Sequence, residues 1–281
     1  MADLYYIVDD SGNFHYSNEN LSGYTAVSLP ASKYNTNPAY GRYVIIDSNP
    51  FILPSRSDHL FIACKNTTFD TSTWDTSNVT NMTGMFELSK LTELDLSSFD
   101  TSNVVSMNNM FCQCNNLTTV NTSSFDTSKV TNMDGMFSVC TSLTSLDLSN
   151  FDTSNVTTMD SMFGACSKLV TVDLSSFDTS KVTNMFTMFD HCEALKTVYA
   201  SDYWNTDLVT ESERMFAYCY KLVGGSGTKC TSSTWITYID KRGAAVDLDI
   251  NGTWGVNKGY FTYKKYHKWA QYKIWLKVQG E

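Results

Sequence analysis

The chain has 281 residues, a net charge of −9 and 42% hydrophobic residues, which is enough to bury a sizeable core and too apolar for a disordered segment. No apolar run approaches the ~20 residues of a membrane-spanning helix. The opening MADLYYIVDDSGNF lacks the basic stretch and apolar core of a secretory signal, so no membrane insertion is expected.

Charge is uneven along the chain. Residues 69–222 carry 19 acids and 7 bases, whereas residues 223–281 carry 4 acids and 9 bases. The acidic middle repels nucleic acid and anionic lipid, and no nucleic-acid partner is expected for it.

All four prolines precede residue 55. Residues 4–8, 43–46 and 60–63 are short runs of strand-forming side chains, and Asp10-Ser-Gly-Asn13 before Phe14 reads as a hairpin turn. Residues 1–66 are therefore expected to form a small β-rich domain that caps the next segment of the chain.

Residues 67–222 repeat. Met-Phe pairs begin at Met85, Met110, Met136, Met162, Met188 and Met215, in steps of 25, 26, 26, 26 and 27. A fixed period of this length marks a solenoid, in which each unit buries its apolar face only against its neighbours. Alternation at Leu143-Thr-Ser-Leu146-Asp-Leu148, and again at Leu91/Leu94/Leu96 and Leu169/Val172/Leu174, predicts a short strand. Phe151 and the Asp152-Thr153-Ser154 turn come next. Met159, Met162, Phe163 and Cys166 then stand at i, i+3, i+4 and i+7, which predicts a short helix with Thr157 and Asp160 as its capping box. The expected class is an α/β repeat solenoid of six coils. Burying a Phe, Leu or Met gives ~1.5–3 kcal/mol, and ordering each residue costs ~1–2 kcal/mol. A lone unit of 26 residues with about ten apolar side chains roughly breaks even, so the units need one another.

The arrangement L-x-x-L-x-L resembles leucine-rich repeats. The fuller text FDTSNVTNMxxMFxxCxxLTxLDLSS resembles the 26-residue repeat of BspA-like bacterial surface proteins. LVGGSGTKC at 222–230 and GYFTYK at 259–264 are similar to the phrase that closes such arrays. The resemblance implies a right-handed leucine-rich-repeat-like solenoid and a role in adhesion or partner binding, on bacterial surfaces or in phage and prophage. Ser89 replaces the repeat's Cys in the first unit, and Val198-Tyr-Ala200 replaces Leu-Asp-Leu in the fifth.

Residues 223–263, rich in Gly and Thr, are expected to form a C-terminal cap. Residues 264–281 form a tail that interleaves Tyr, Trp and Lys, and Tyr272, Ile274, Leu276 and Val278 alternate in it as in a strand. Such a strand invites pairing with another chain, so a homo-oligomer or a virion partner through the terminal regions is expected.

Candidate chemistry is sparse. Cys114, Cys140, Cys166, Cys192 and Cys219 occupy one position per coil, as a column of small buried side chains; a metal would need ligands converging on one point. His15, His59, His191 and His267 are scattered, and His191 beside Cys192 points away from it. Asp75, Asp100, Asp126, Asp152 and Asp178 recur in the Asp-Thr-Ser turn, where each carboxylate can accept N–H groups of its own turn, with Lys129 and Lys181 offsetting their charge. The alternative reading is calcium between coils. Cofactors and metals are otherwise not expected, and neither is catalysis.

The outward strand positions are the best recognition candidates: Glu93, Asp95, Asn121, Asp147, Asp173 and Tyr199, with Thr119, Ser145, Thr171 and Thr197 beside them. This strip of carboxylates and hydroxyls suits a protein or a glycan on a cell surface. The expectation is a non-enzymatic recognition or adhesion protein, extracellular or surface-exposed. A phage or prophage virion component is favoured over a bacterial cell-surface adhesin, with a carbohydrate-active enzyme third.

Overall fold

The computed structural model describes residues 4–26, 39–200 and 203–223, together with the backbone of 246–247 and 261–263. Described elements are all short strands. β1 (Tyr5–Val8), β2 (Phe14–Ser17), β3 (Thr25–Ala26) and β4 (Val44–Ile46) form one sheet in the order β3-β1-β2-β4. The expected hairpin joins β1 to β2. Gly12 sits there at φ 80, and Asp9 accepts the Gly12 N–H at 2.9 Å. Residues 60–63 are turns rather than the expected strand.

Two side-chain amides join this sheet to the repeats. Asn66 accepts the Val44 N–H at 2.7 Å and donates to the Val44 carbonyl at 2.9 Å. Asn18 treats Ile52 in the same way, at 2.7 and 2.8 Å. Each amide satisfies one residue of strand edge without adding a strand.

The repeats stack as coils. β5 (Phe51–Ile52) pairs in parallel with β6 (Trp74–Asp75), β7 (Glu93–Asp95) with β8 (Thr119–Asn121), and β9 (Thr171–Asp173) with β10 (Thr197–Ala200). Residues 145–147, expected to be a strand, are not one, so the sheet is interrupted between β8 and β9. β12 (Phe261–Tyr263) continues the sheet beyond β10, and β11 (Val246–Asp247) lies beyond it.

The predicted helix does not form, and no helix occurs among the described residues. Its place is taken by a polarised ladder of turns. The N–H groups of Met82, Gly84, Phe86 and Leu88 donate to the carbonyls of Ser106, Asn108, Met110 and Cys112 in the next coil, at 2.8–3.0 Å. The N–H groups of Met85, Glu87 and Ser89 instead close three-residue turns back to Met82, Gly84 and Phe86. Alternate peptide groups therefore lie along the stacking axis, all pointing the same way, and the rest stay within the coil.

This geometry needs two left-handed residues per coil. φ is +58 at Gly84 and +61 at Leu88, and the values recur at Asn109 and Gln113, Gly135 and Val139, and Ser161 and Ala165. Such residues cost ~1–2 kcal/mol each when not glycine, an amount offset by the ladder bonds they allow. A turn train with period four places apolar residues at i, i+3, i+4 and i+7 just as a helix does, which is why the two look alike in sequence. Spacing decides between them. Packed helices lie 8–10 Å apart, but the phenylalanines of successive coils are 5.4–6.1 Å apart from Phe61 through Phe86, Phe111, Phe137, Phe163 and Phe189 to Phe216. Coils spaced like paired strands leave no room for a helix in each.

The same ladder reaches one turn earlier than the repeat text. Isolated parallel bridges run from Arg56–Asn81 to Asn184–Glu211. Phe61 and Cys64 stand where Phe86 and Ser89 stand in the next coil, so residues 56–64 act as a first coil in divergent letters. Both residues of every Met-Phe pair are buried.

Truncating a ring inside the stack opens a cavity. Phe137→Ala will lower unfolding free energy by ~3–5 kcal/mol, measured by urea titration. Phe186→Ala, whose ring is 37% exposed, will cost less than ~1 kcal/mol. Equal losses would show that Phe137 is not in a packed column.

Candidate functional site

Most polar side chains of the coil are spent on stacking. In each Asp-Thr-Ser turn the Thr hydroxyl is buried and reaches the following coil. Thr127 donates to the Asp152 carbonyl at 2.8 Å and accepts the Asp152 N–H at 2.8 Å. Thr101 and Asp126 repeat this at 2.9 and 2.8 Å. The Asp of the turn faces its own Ser: Asp100 accepts the Ser102 N–H at 3.0 Å and hydroxyl at 2.6 Å, and Asp126 and Asp152 accept their Ser N–H groups at 3.0 and 2.9 Å. This is the local turn bonding expected of the column. Lys129 and Lys181 differ from expectation: they bond to Asn103 and Asn155 of the preceding coil at 2.9 and 2.7 Å, although Lys129 also helps to lower the Asp100 pKa. No cluster of His, Cys, Asp and Glu suited to a metal ion occurs among the described residues.

The cysteines form the expected buried column, with an added role. Each thiol donates to the carbonyl of the phenylalanine one coil back, as from Cys166 to Phe137 at 3.0 Å and from Cys192 to Phe163 at 3.0 Å. Burial pushes the thiols of Cys64, Cys114 and Cys166 up to about 12 and those of Cys140 and Cys192 well upward. They remain protonated donors rather than nucleophiles. His191 is no partner to Cys192. Its ring stacks on Tyr218 at 4.0 Å, and its Nδ1 lies 2.9 Å from Asp190. His15 lies between Asp47, at 3.0 Å, and Asp9, at 3.3 Å. Cys230 and His267 fall outside the described residues.

The outward strip is what remains. Leu94 and Val120 face each other in register, which turns Glu93, Asp95, Thr119 and Asn121 outward, and all four are exposed. Ser145 and Asp147 are exposed as well, whereas Thr171, Asp173, Thr197 and Tyr199 are half-buried. The structure gathers Glu93, Asp95 and Asn121 around an open groove of about 350 Å³, floored by Phe69, Leu94 and Val120. Asp147 lies outside that groove, close enough to Asp173 for its charge to be felt. Tyr199 stands on β10, beside β12.

Two carboxylates of the strip, Asp95 and Asp147, are held ionised. Asp95 accepts the Ser97 N–H at 3.0 Å and the Asn121 amide at 2.9 Å, and the Ser97 N–H is the main reason that its pKa is lowered. Asp147 is lowered chiefly by Ser149, against a smaller opposing effect of burial and Asp173. Neither is a proton donor near neutrality.

Phe69 and its neighbour Thr68 join the site without having stood out in the sequence. The signal was present: Phe69-Asp-Thr-Ser72 is a fragment of repeat text one step ahead of the Asp75-Thr-Ser turn, and Thr71 ties it to the Asp95 carbonyl at 2.5 Å.

A depressed carboxylate pKa stabilises the fold above the unfolded value of about 4 and loses that effect as pH falls through the lower folded value. The stability difference between the native chain and Asp100→Asn should therefore stay constant from pH ~8 to ~5 and shrink below pH ~4. Urea midpoints against pH will test it; a difference unchanged down to pH ~2 would mean that the Ser102 bonds do not favour the ionised form.

Two stretches of the chain, residues 56–146 and 114–225, match one family, described as a Mycoplasma protein of unknown function, DUF285. The first begins at the divergent coil that contains Phe61 and Cys64. No curated protein matches the chain, and no solved structure does. With the two overlapping matches together spanning residues 56–225, over half of its length and every stacked Met-Phe pair, the chain belongs to the DUF285 family.

Proposed function

We propose that this chain is a recognition or adhesion protein, whose coils display the strip from Glu93 to Tyr199 to a protein or glycan on a cell surface. One observation carries the reading. The buried Thr hydroxyls and Cys thiols of the coil are turned to the backbone of neighbouring coils, while Glu93, Asp95, Thr119 and Asn121 are presented outward in register and Ser145 and Asp147 are exposed in the next coil. Ionised carboxylates beside hydroxyls bind sugar hydroxyls or basic side chains, and the groove floor of Phe69, Leu94 and Val120 offers an apolar surface to a sugar ring or an aliphatic stem.

The BspA-like text supports the same reading and adds finer elements: a right-handed, leucine-rich-repeat-like path, and display on a virion or on a bacterial surface. The strip is open and the pKa values of Asp95 and Asp147 are lowered, so the reading requires binding without turnover.

Purified protein should bind whole bacteria or their isolated glycans without consuming them. The double variant Asp95→Asn, Asp147→Asn should bind at least ~tenfold more weakly, a loss of about 1.4 kcal/mol, measured at a temperature and pH where the urea titration shows it fully folded, because losing two ionised turn carboxylates also lowers its urea midpoint. Full binding by this variant would remove the strip from the reading. Polysaccharide turnover lost on Asp147→Asn would replace the reading with an enzyme.

A further inference from the structure

We propose that the basic aromatic segment 264–281 lies along the acidic strip of its own array, over the groove at Glu93 and Asp95, and competes there with outside ligands. The inference takes the strip as the recognition face and adds a built-in occupant.

Three observations meet here. The first is charge: residues 69–222 hold 19 acids against 7 bases, while segment 264–281 holds Lys264, Lys265, Lys268, Lys273 and Lys277 against Glu281 alone. The second is position. β12 ends at Tyr263 and pairs with β10, which carries Tyr199 of the strip, so the segment leaves the array beside one end of that strip. The third is reach. From β10 to β7 is four coils, about 19 Å at the spacing of paired strands, and about 18 residues span up to ~60 Å when extended. A tether this short keeps the segment at a high effective concentration over the strip, which favours its own array over that of another copy.

The groove matches the segment's composition. Lysine ammonium groups would meet Glu93 and Asp95 on the rim, and the interleaved Tyr and Trp rings would meet the floor of Phe69, Leu94 and Val120. Contacts of this kind weaken with salt, because the Debye length falls to about 3 Å at 1 M.

The test uses the full chain and no outside ligand. Zero-length carbodiimide coupling, read by mass spectrometry on the monomer fraction, should join lysines of 264–277 to Glu93 or Asp95. These links should fall at least ~fivefold in 1 M salt, and links from the same lysines to the remaining strip acid Asp147 should fall as far in the double variant Glu93→Gln, Asp95→Asn. Links found only in a dimer fraction would overturn the proposal in favour of contact between copies. Tail links to acids off the strip, or no tail links, would also overturn it. Replacing the five lysines with Gln should raise cell binding several-fold if the strip is the recognition face. Failure of cell binding by every form would sink the recognition reading and leave the cross-linking result to decide this one.

Discussion

The constraint on which the rest depends is the direction of the peptide groups in the turn ladder. Alternate amides of each coil point along the stack and bond to the next coil, so each coil's geometry is set by its neighbours. That requirement places residues such as Leu88, Gln113 and Val139 in the left-handed region, where a β-branched side chain like that of Val139 is an outlier. It also keeps the phenylalanines within stacking distance, so ring contacts and amide bonds strengthen the same arrangement. The strain recurs at matching positions because the bond pattern recurs there.

Side chains then divide by role. Thr127 and its counterparts join coil to coil through a hydroxyl that both gives and takes a hydrogen bond. The thiols do the same on the far side of the core, in one direction only, and Ser89 stands in the column with its hydroxyl 3.2 Å from the Cys114 sulfur. Leu94, Val172 and Val198 fill the strand side. Of what faces outward from the strands, Asp95 and Asn121 join two coils through a side-chain hydrogen bond, and Glu93, Thr119 and Ser145 are exposed.

Much of this was legible in the letters. The period, the buried Met, Phe, Cys and Leu, the local bonding of the Asp turns and the outward strip all come from spacing and alternation. The helix did not, because Met159, Met162, Phe163 and Cys166 suit a helix and a train of turns equally well. Only the distance between coils separates the two, and no single repeat contains that distance. The first coil was hidden for another reason. Leu60-Phe61 and Cys64 keep the volumes of the repeat without its spelling, and the ladder acts through backbone that letters do not encode. Of the candidate site, the strip was readable but the groove was not, since Phe69 reaches it from an extra, out-of-phase copy of Phe-Asp-Thr-Ser.

The one-way turn ladder also governs how such a chain can change in length. Duplicating a whole repeat gives each carbonyl oxygen of the turn ladder a fresh donor and leaves the terminal pieces, including the Tyr16 hydroxyl that rests on the Leu60 carbonyl, untouched. Adding half a repeat would set strand residues against the turn train and break the register of both. Growth and loss should therefore proceed in whole coils, with both ends of the stack left as they are.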